Sequence, residues 1–193
     1  MQSGFANPVF DAQRTFRAAM NALAQPGTLQ ALESSLIPPA PLPAELAALA
    51  LTLFDHETPF WLDAPLATPD VVAFLRFHTG APAVSDPADA AFALVLDAAS
   101  CPAFGVFAQG SPAYPDRSAT LILALQNLAA EGELVLSGPG IREQAALSAS
   151  PLPSDFIARW AANRQLAPCG VDVLLAGAGC VAGLPRSVQI ERR

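Results

Sequence analysis

Two short runs, Phe92 to Leu96 and Ala119 to Leu125, are apolar almost without a break and are bounded by turn residues. A strand with one wet face alternates apolar and polar side chains, whereas a strand covered on both faces reads as a continuous apolar run. These segments therefore demand a sheet buried between two layers, and the remaining segments have to supply the cover.

Asn7 before Pro8 is a capping side chain followed by a proline at the first helical position, and Phe10, Phe16, Met20 and Leu23 recur at helical spacing up to Pro26-Gly27. Arg14 and Arg17, three apart on the polar side, are either a solvated face or a grip for an anion or a partner carboxylate. Pro38, Pro39, Pro41 and Pro43 form a stiff connector into a second helix, Ala44 to about Phe54. Thr58 to Asp63 reads as a short strand, and Thr68-Pro69-Asp70 caps a third helix that ends at Gly80 and Pro82. Leu134 to Leu136 is a further strand, and Ser154 is expected to cap a helix running to about Asn163. Val171 to Ala176 and Cys180 to Leu184 form a terminal hairpin around Gly177-Ala178-Gly179. Helices interleaved with apolar strands give an α/β class with a mixed sheet covered on both faces. At 193 residues the expectation is one domain, 1–193.

All ten basic residues are arginine and none is lysine. A Schiff-base lysine, a phosphate-loop lysine and a lysine general base are thereby excluded. The net charge of -7 leaves no basic stripe for phosphate neutralisation, so nucleic acid is not an expected partner. Charged residues make up 14% of the chain, against about 25% in an average soluble domain. Either a partner covers apolar surface, or alanine, at home on exposed helices, inflates the apolar count. Cys101, Cys169 and Cys180 form no C-x-x-C pair and an odd count makes a poor disulfide framework, which fits a reducing cytoplasm. The opening Met1 to Phe5 has no basic leader region, and no apolar run reaches the roughly 20 residues of a membrane helix.

Several constellations invite a chemical reading. Gly177-x-Gly179-x-x-x-Gly183 follows an apolar strand but opens no helix, so a hairpin turn explains it better than dinucleotide binding. Gly138-Pro139-Gly140 beside Arg142 is an ordinary turn or an anion-binding nest short of one donor. Asp55, His56 and Glu57 with His78 supply the minimum for a facial metal triad, against two unrelated satisfied histidines. No G-x-S-x-G surrounds Ser118, and Cys169 reads as a small buried residue. Arg76-Phe77-His78-Thr79 sets a guanidinium, an imidazole and a hydroxyl at a helix end, where they either hold a phosphate-like anion or complement the helix dipole.

Taken in order, these segments resemble the PhnH family, subunits of the bacterial carbon-phosphorus lyase system that breaks down phosphonates. The resemblance rests on Phe10-Asp11-Ala12-Gln13, Phe16-Arg17, Gln25-Pro26-Gly27, Leu51-Thr52-Leu53, Asp55-x-Glu57-Thr58-Pro59 before Trp61, and Leu75-Arg76-Phe77-His78-Thr79. It continues through Ala81-Pro82, Ala119 to Leu123, Gly138-x-Gly140-Ile141, Gly170-Val171-Asp172 and Leu184-Pro185-Arg186. His56 and the three cysteines belong to no family motif. The resemblance implies a three-layer α/β/α sandwich similar to the pyridoxal-phosphate-dependent transferases but without the cofactor lysine. It implies a homodimer that joins PhnG, PhnI and PhnJ, with PhnK and PhnL in the wider system, and no cofactor on this chain. It also implies a complex that replaces adenine on MgATP by an alkylphosphonate, giving a ribose 1-phosphonate 5-triphosphate. Two roles stay open: a non-catalytic scaffold, or a phosphonate- or nucleotide-binding cleft built from Asp55, Glu57, Arg76, His78 and Thr79, with Arg186 as a further anion contact.

Overall fold

The computed structural model describes residues 2–193, so Met1 of the opening segment lies outside it. Its centre is a six-stranded sheet in the order β1 (Gln30–Ala31), β10 (Cys180–Leu184), β9 (Asp172–Gly177), β6 (Thr120–Ala124), β3 (Phe92–Val95) and β2 (Phe60–Leu62). From β2 to β9 neighbours run parallel, while β10 and β1 are each antiparallel to the strand before them. The sheet is mixed, as the apolar runs require. Successive residues turn to opposite sides: Leu94, Ile122, Leu174 and Val181 enter one core, while Val95, Leu121, Leu175 and Ala182 enter the other.

Three helices cover the first face: α1 (Pro8–Ala24), α2 (Ala44–Leu53) and α3 (Pro69–Thr79). The second face carries α4 (Phe156–Gln165), the 3-10 turns Ala98–Ser100 and Phe104–Val106, and an antiparallel sheet of β11 (Gln189–Arg192), β7 (Asn127–Ser137) and β8 (Ala145–Ser150). That outer layer is thus a helix beside a small sheet, where the α/β/α expectation placed helices alone. β8 is Ala-Ala-Leu-Ser-Ala-Ser and has no strand-like apolar pattern to read. β7 extends well beyond Leu134–Leu136, because a bulge between Ala130 and Leu134 interrupts its pairing and hides the first half of the pattern. A short hairpin, β4 (Gln109–Ser111) with β5 (Tyr114–Ser118), and a 3-10 turn, Pro87–Asp89, complete the elements of the described residues.

α1 begins where its caps place it: Asn7 accepts from the Phe10 N–H, and the Asp11 carboxylate returns the favour to the Asn7 N–H at 2.9 Å. Its buried side is Thr15, Ala18, Ala19 and Ala22, whereas Phe10, Phe16 and Met20, which mark the helix in the sequence, stand exposed. The cause is the close seat of α1 on β10. A Cβ on Gly183 would lie 2.5 Å from the Ala22 backbone, so only small side chains fit between helix and sheet. Ser154 does not cap α4. Asp155 occupies the capping position, but its side chain bonds none of the helix N–H groups, and the Phe156 N–H is met by the Pro153 carbonyl at 3.0 Å. The terminal hairpin is as expected, with Cys180 paired to Gly177 across the two positive-φ residues Ala178 and Gly179.

Candidate functional site

α3 starts on the Thr68 hydroxyl, which accepts from the Val71 N–H, and stops at Gly80 in the left-handed conformation. Thr79 spends its hydroxyl on that stop, donating to the Leu75 carbonyl at 2.8 Å and accepting from the Ala81 N–H at 3.0 Å. His78 Nε2 meets the Gln2 carbonyl at 3.1 Å, so it is the nitrogen that donates there, and the ring packs edge-on against Phe74 and Phe77. His78 also lines a cleft of about 310 Å³ with Gly4, Phe5, Pro8, Ala12 and Leu51. Arg76 is exposed. Two helical positions are about 200° apart, so Arg76 and His78 point to opposite sides of α3 and do not share that cleft.

Asp55 and Glu57 lie in a turn next to the end of α3, where His56 approaches Gly80. Asp55 accepts from the Glu57 N–H at 2.9 Å, its own N–H goes to the Thr58 hydroxyl at 2.7 Å, and Glu57 projects into solvent. The Asp55 carboxylate thus builds the turn, Glu57 stands in solvent, and neither is bonded to His78. Among the described residues no three His, Cys, Asp or Glu side chains form a metal-binding group.

Arg186 lies elsewhere, at the starts of β6 and β9. All five of its N–H donors are engaged: Nε and Nη2 on the Asp172 carboxylate, Nη2 also on the Ser118 hydroxyl, and Nη1 on the Pro115 and Pro168 carbonyls. Two segments of the resemblance, Gly170-Val171-Asp172 and Leu184-Pro185-Arg186, therefore meet as one ion pair. A second pair meets likewise: Gly140 sits on the last turn of α1, where a Cβ would lie 2.3 Å from the Ala24 carbonyl oxygen. The carbonyl end of a helix repels anions, so the Gly138–Gly140 turn with Arg142 packs against α1 instead of offering a nest. Cys169 is half-buried rather than buried.

Asp55, Glu57, Arg76, His78, Thr79 and Arg186 share one property: all stand at the amino-terminal ends of the parallel strands. Open α/β sheets bind ligands at the carboxyl ends, in a crevice where connections leave to opposite faces. Here β2 leads into α3 on the first face, and β3 leads into the 3-10 turns on the second. The crevice between them holds Asp63, which the sequence reading passed over. It follows directly on the aromatic strand Phe60–Leu62, and that position at a strand's carboxyl end was the signal to heed. Only 7% exposed, its carboxylate accepts from the N–H groups of Leu96 at 2.8 Å and Asp97 at 2.9 Å, and from Leu66 at 3.3 Å. Burial raises its pKa; the three backbone bonds oppose that, and the Asp97 charge adds to it. The backbone N–H groups of Leu66, Leu96 and Asp97 at this end of the sheet are thus satisfied by the chain's own carboxylate.

Beside it, burial pushes the Cys101 thiol up to about 12, with the Arg159 charge pulling the other way. Arg159 bonds the Cys101 carbonyl at 2.7 Å and the Asp155 carboxylate at 2.7 Å. A thiol so protonated is a poor nucleophile. Treating the folded chain with iodoacetamide at pH 8 should therefore leave Cys101 unmodified by peptide mass, and unfolding should expose it; rapid native labelling of Cys101 would contradict the packing described.

Comparison with known proteins adds two findings. A family model described as bacterial phosphonate metabolism protein (PhnH) matches residues 3–191. The alpha-D-ribose 1-methylphosphonate 5-triphosphate synthase subunit PhnH of Rhizobium meliloti (strain 1021) is 40% identical over 188 residues, covering 97% of this chain and 94% of that protein.

Proposed function

The chain belongs to the bacterial phosphonate metabolism protein (PhnH) family, and from that membership we propose that it is a non-catalytic subunit of an alpha-D-ribose 1-methylphosphonate 5-triphosphate synthase. In this reading the assembled complex takes MgATP and an alkylphosphonate and exchanges adenine at the ribose carbon for a phosphonate oxygen. This chain brings one domain, 1–193, and works in the cytoplasm as a homodimer with PhnG, PhnI and PhnJ, PhnK and PhnL acting in the wider system. The observation that carries the non-catalytic half is Asp63: the crevice at the carboxyl ends of β2 and β3 is closed by an internal carboxylate with its N–H partners already supplied. The alternative cleft around Arg76, His78 and Asp55 has less support, since Arg76 and His78 face apart and Asp55 is engaged in its own turn. A relation to the pyridoxal-phosphate-dependent transferases belongs to the same reading. A mixed sheet covered on both faces supports the likeness of fold, and a chain without lysine supports a version of it that does not hold the cofactor. Among the described residues no helix is long and apolar enough to cross a membrane.

The test is co-purification of the tagged chain with the other synthase subunits, paired with growth on methylphosphonate of a host lacking its own copy. Assembly and restored growth are expected, and restored growth should survive Arg76→Ala and Glu57→Gln. Assembly with loss of growth in Arg76→Ala would favour the cleft, because a charge-assisted ligand contact alone would have been removed.

A further inference from the structure

A strand at the edge of a sheet shows a row of unpaired N–H and C=O groups, and folded chains blunt such edges with shortness, charge, proline or a covering segment. The other edges of this chain are blunted in these ways. β2 is covered by residues 82–84: the Phe60 N–H donates to the Pro82 carbonyl at 2.9 Å, and the Val84 N–H to the Phe60 carbonyl at 2.9 Å. β1 has two residues and β4 has three, β5 carries Pro115, Asp116 and Arg117, and β11 carries Glu191 and Arg192. β8 has none of these devices. It is six residues long, Ala-Ala-Leu-Ser-Ala-Ser, without charge or proline, and its one neighbour in the sheet is β7. In an antiparallel pair every second residue turns its N–H and C=O away from the partner strand. Among the described residues the one further backbone bond to β8, from the Gln126 N–H to the Ser150 carbonyl, comes from the β7 side, so the far side of the ladder is open.

We propose that β8 receives an extended strand from another subunit of the synthase, which adds a fourth strand to the sheet β11–β7–β8. The proposal rests on the subunit reading above and assigns one edge to it. An open ladder recognises another backbone, and the side chains around it say what that strand carries. On the outer face Ala146, Ser148 and Ser150 are small and leave room for large neighbours across the new pair. Beneath, Ala145, Ala149 and Leu152 pack on the second core yet stay half-buried, so the core is open at this rim and takes alternate apolar side chains of an added strand. The edge is also acidic. Glu143 leads towards β8 and Glu131 stands on the β7 bulge, both exposed, against Arg142 alone, because Arg192 lies 3.6 Å from Glu133. A strand with basic flanks therefore fits, in keeping with the net charge of -7. A second copy fits less well. β8 laid on β8 meets with six residues a side, where a stable interface uses about 20–30, and it sets one acidic edge against another. In an assembly of several proteins other surfaces share the contact.

The experiment is hydrogen–deuterium exchange, read by mass spectrometry, on the purified full chain and on the same chain co-purified with the other synthase subunits. In the isolated chain about half of the amides of Ala145–Ser150 should exchange fast at every protein concentration. In the assembly these amides should exchange about 10-fold or more slowly, while those of Gln189–Arg192 stay as they were. Ala146→Arg/Ser148→Arg, shown to be folded by circular dichroism, should weaken assembly about 10-fold or more, and Ala146→Glu/Ser148→Glu should weaken it less. If these variants prove poorly folded, exchange in the wild type decides alone. Fast β8 exchange in the assembly, or protection of β8 in the isolated chain that grows with concentration and so marks a second copy, would overturn the proposal. A glutamate pair more damaging than the arginine pair would overturn the basic strand. A wild type that joins the other subunits with β8 unprotected refutes the edge alone, whereas a wild type that joins none of them refutes the subunit reading and the proposal with it.

Discussion

Truncating Arg186 to alanine should lower the free energy of unfolding by about 3–4 kcal/mol, the cost of breaking a well-bonded ion pair that solvent reaches only in part. Its guanidinium joins β9, through Asp172, to the end of β5 and to the turn after α4, through Ser118, Pro115 and Pro168. Side-chain exposures of 17% for Arg186 and 22% for Asp172 leave water little access to compensate. Alanine would strand the Asp172 carboxylate and two carbonyls together. Lysine restores the charge but not the planar fork, so Arg186→Lys should recover less than half of the loss. Urea unfolding followed by circular dichroism reads this as a lower midpoint at unchanged slope. A loss below about 1 kcal/mol would mean that the pair is no more than a surface salt bridge.

Asp63→Ala is expected to cost about 3 kcal/mol, because it leaves the Leu96 and Asp97 N–H groups without an acceptor in a closed crevice. Asp63→Asn keeps one acceptor oxygen and should cost less. The two forms of residue 63 also differ in how they respond to pH. Burial raises the folded-state pKa of Asp63 above its unfolded value, so between the two values the folded chain holds more protons than the unfolded one. The stability contributed by this proton is complete below the unfolded pKa of about 4 and is lost as pH rises through the raised folded value. The wild type should therefore gain on Asp63→Asn as the solution is acidified through that window. A difference that grows in the opposite direction would show that the backbone bonds outweigh burial at this carboxylate.

α1 and α3 are legible because their ends carry chemistry: Asn7-Pro8, Thr68-Pro69 and Gly80 each act as a cap or stop in the structure. The central strands were legible because burial on both faces leaves no polar positions. What stayed hidden was the second cover. β8 consists of small residues without a pattern, and β7 has its periodicity broken by a bulge. Which side of α1 is buried was hidden as well. That depends on how near β10 lies, a tertiary fact set by Gly183, and it turned the large residues outward. Chemical type alone does not say at which end of a sheet a residue falls. Arg186 looks like an anion contact in the sequence, yet every one of its donors is taken. Asp63 looked like the end of a strand and proved to close the crevice.

The most direct test of the account is calorimetric titration of the isolated, folded chain with MgATP and then with methylphosphonate, on a preparation shown to assemble with its partner subunits. With the β2–β3 crevice filled by Asp63, no heat beyond dilution is expected from either ligand. Saturable binding of either one by the chain alone would contradict the account and make this subunit a bearer of part of the active site.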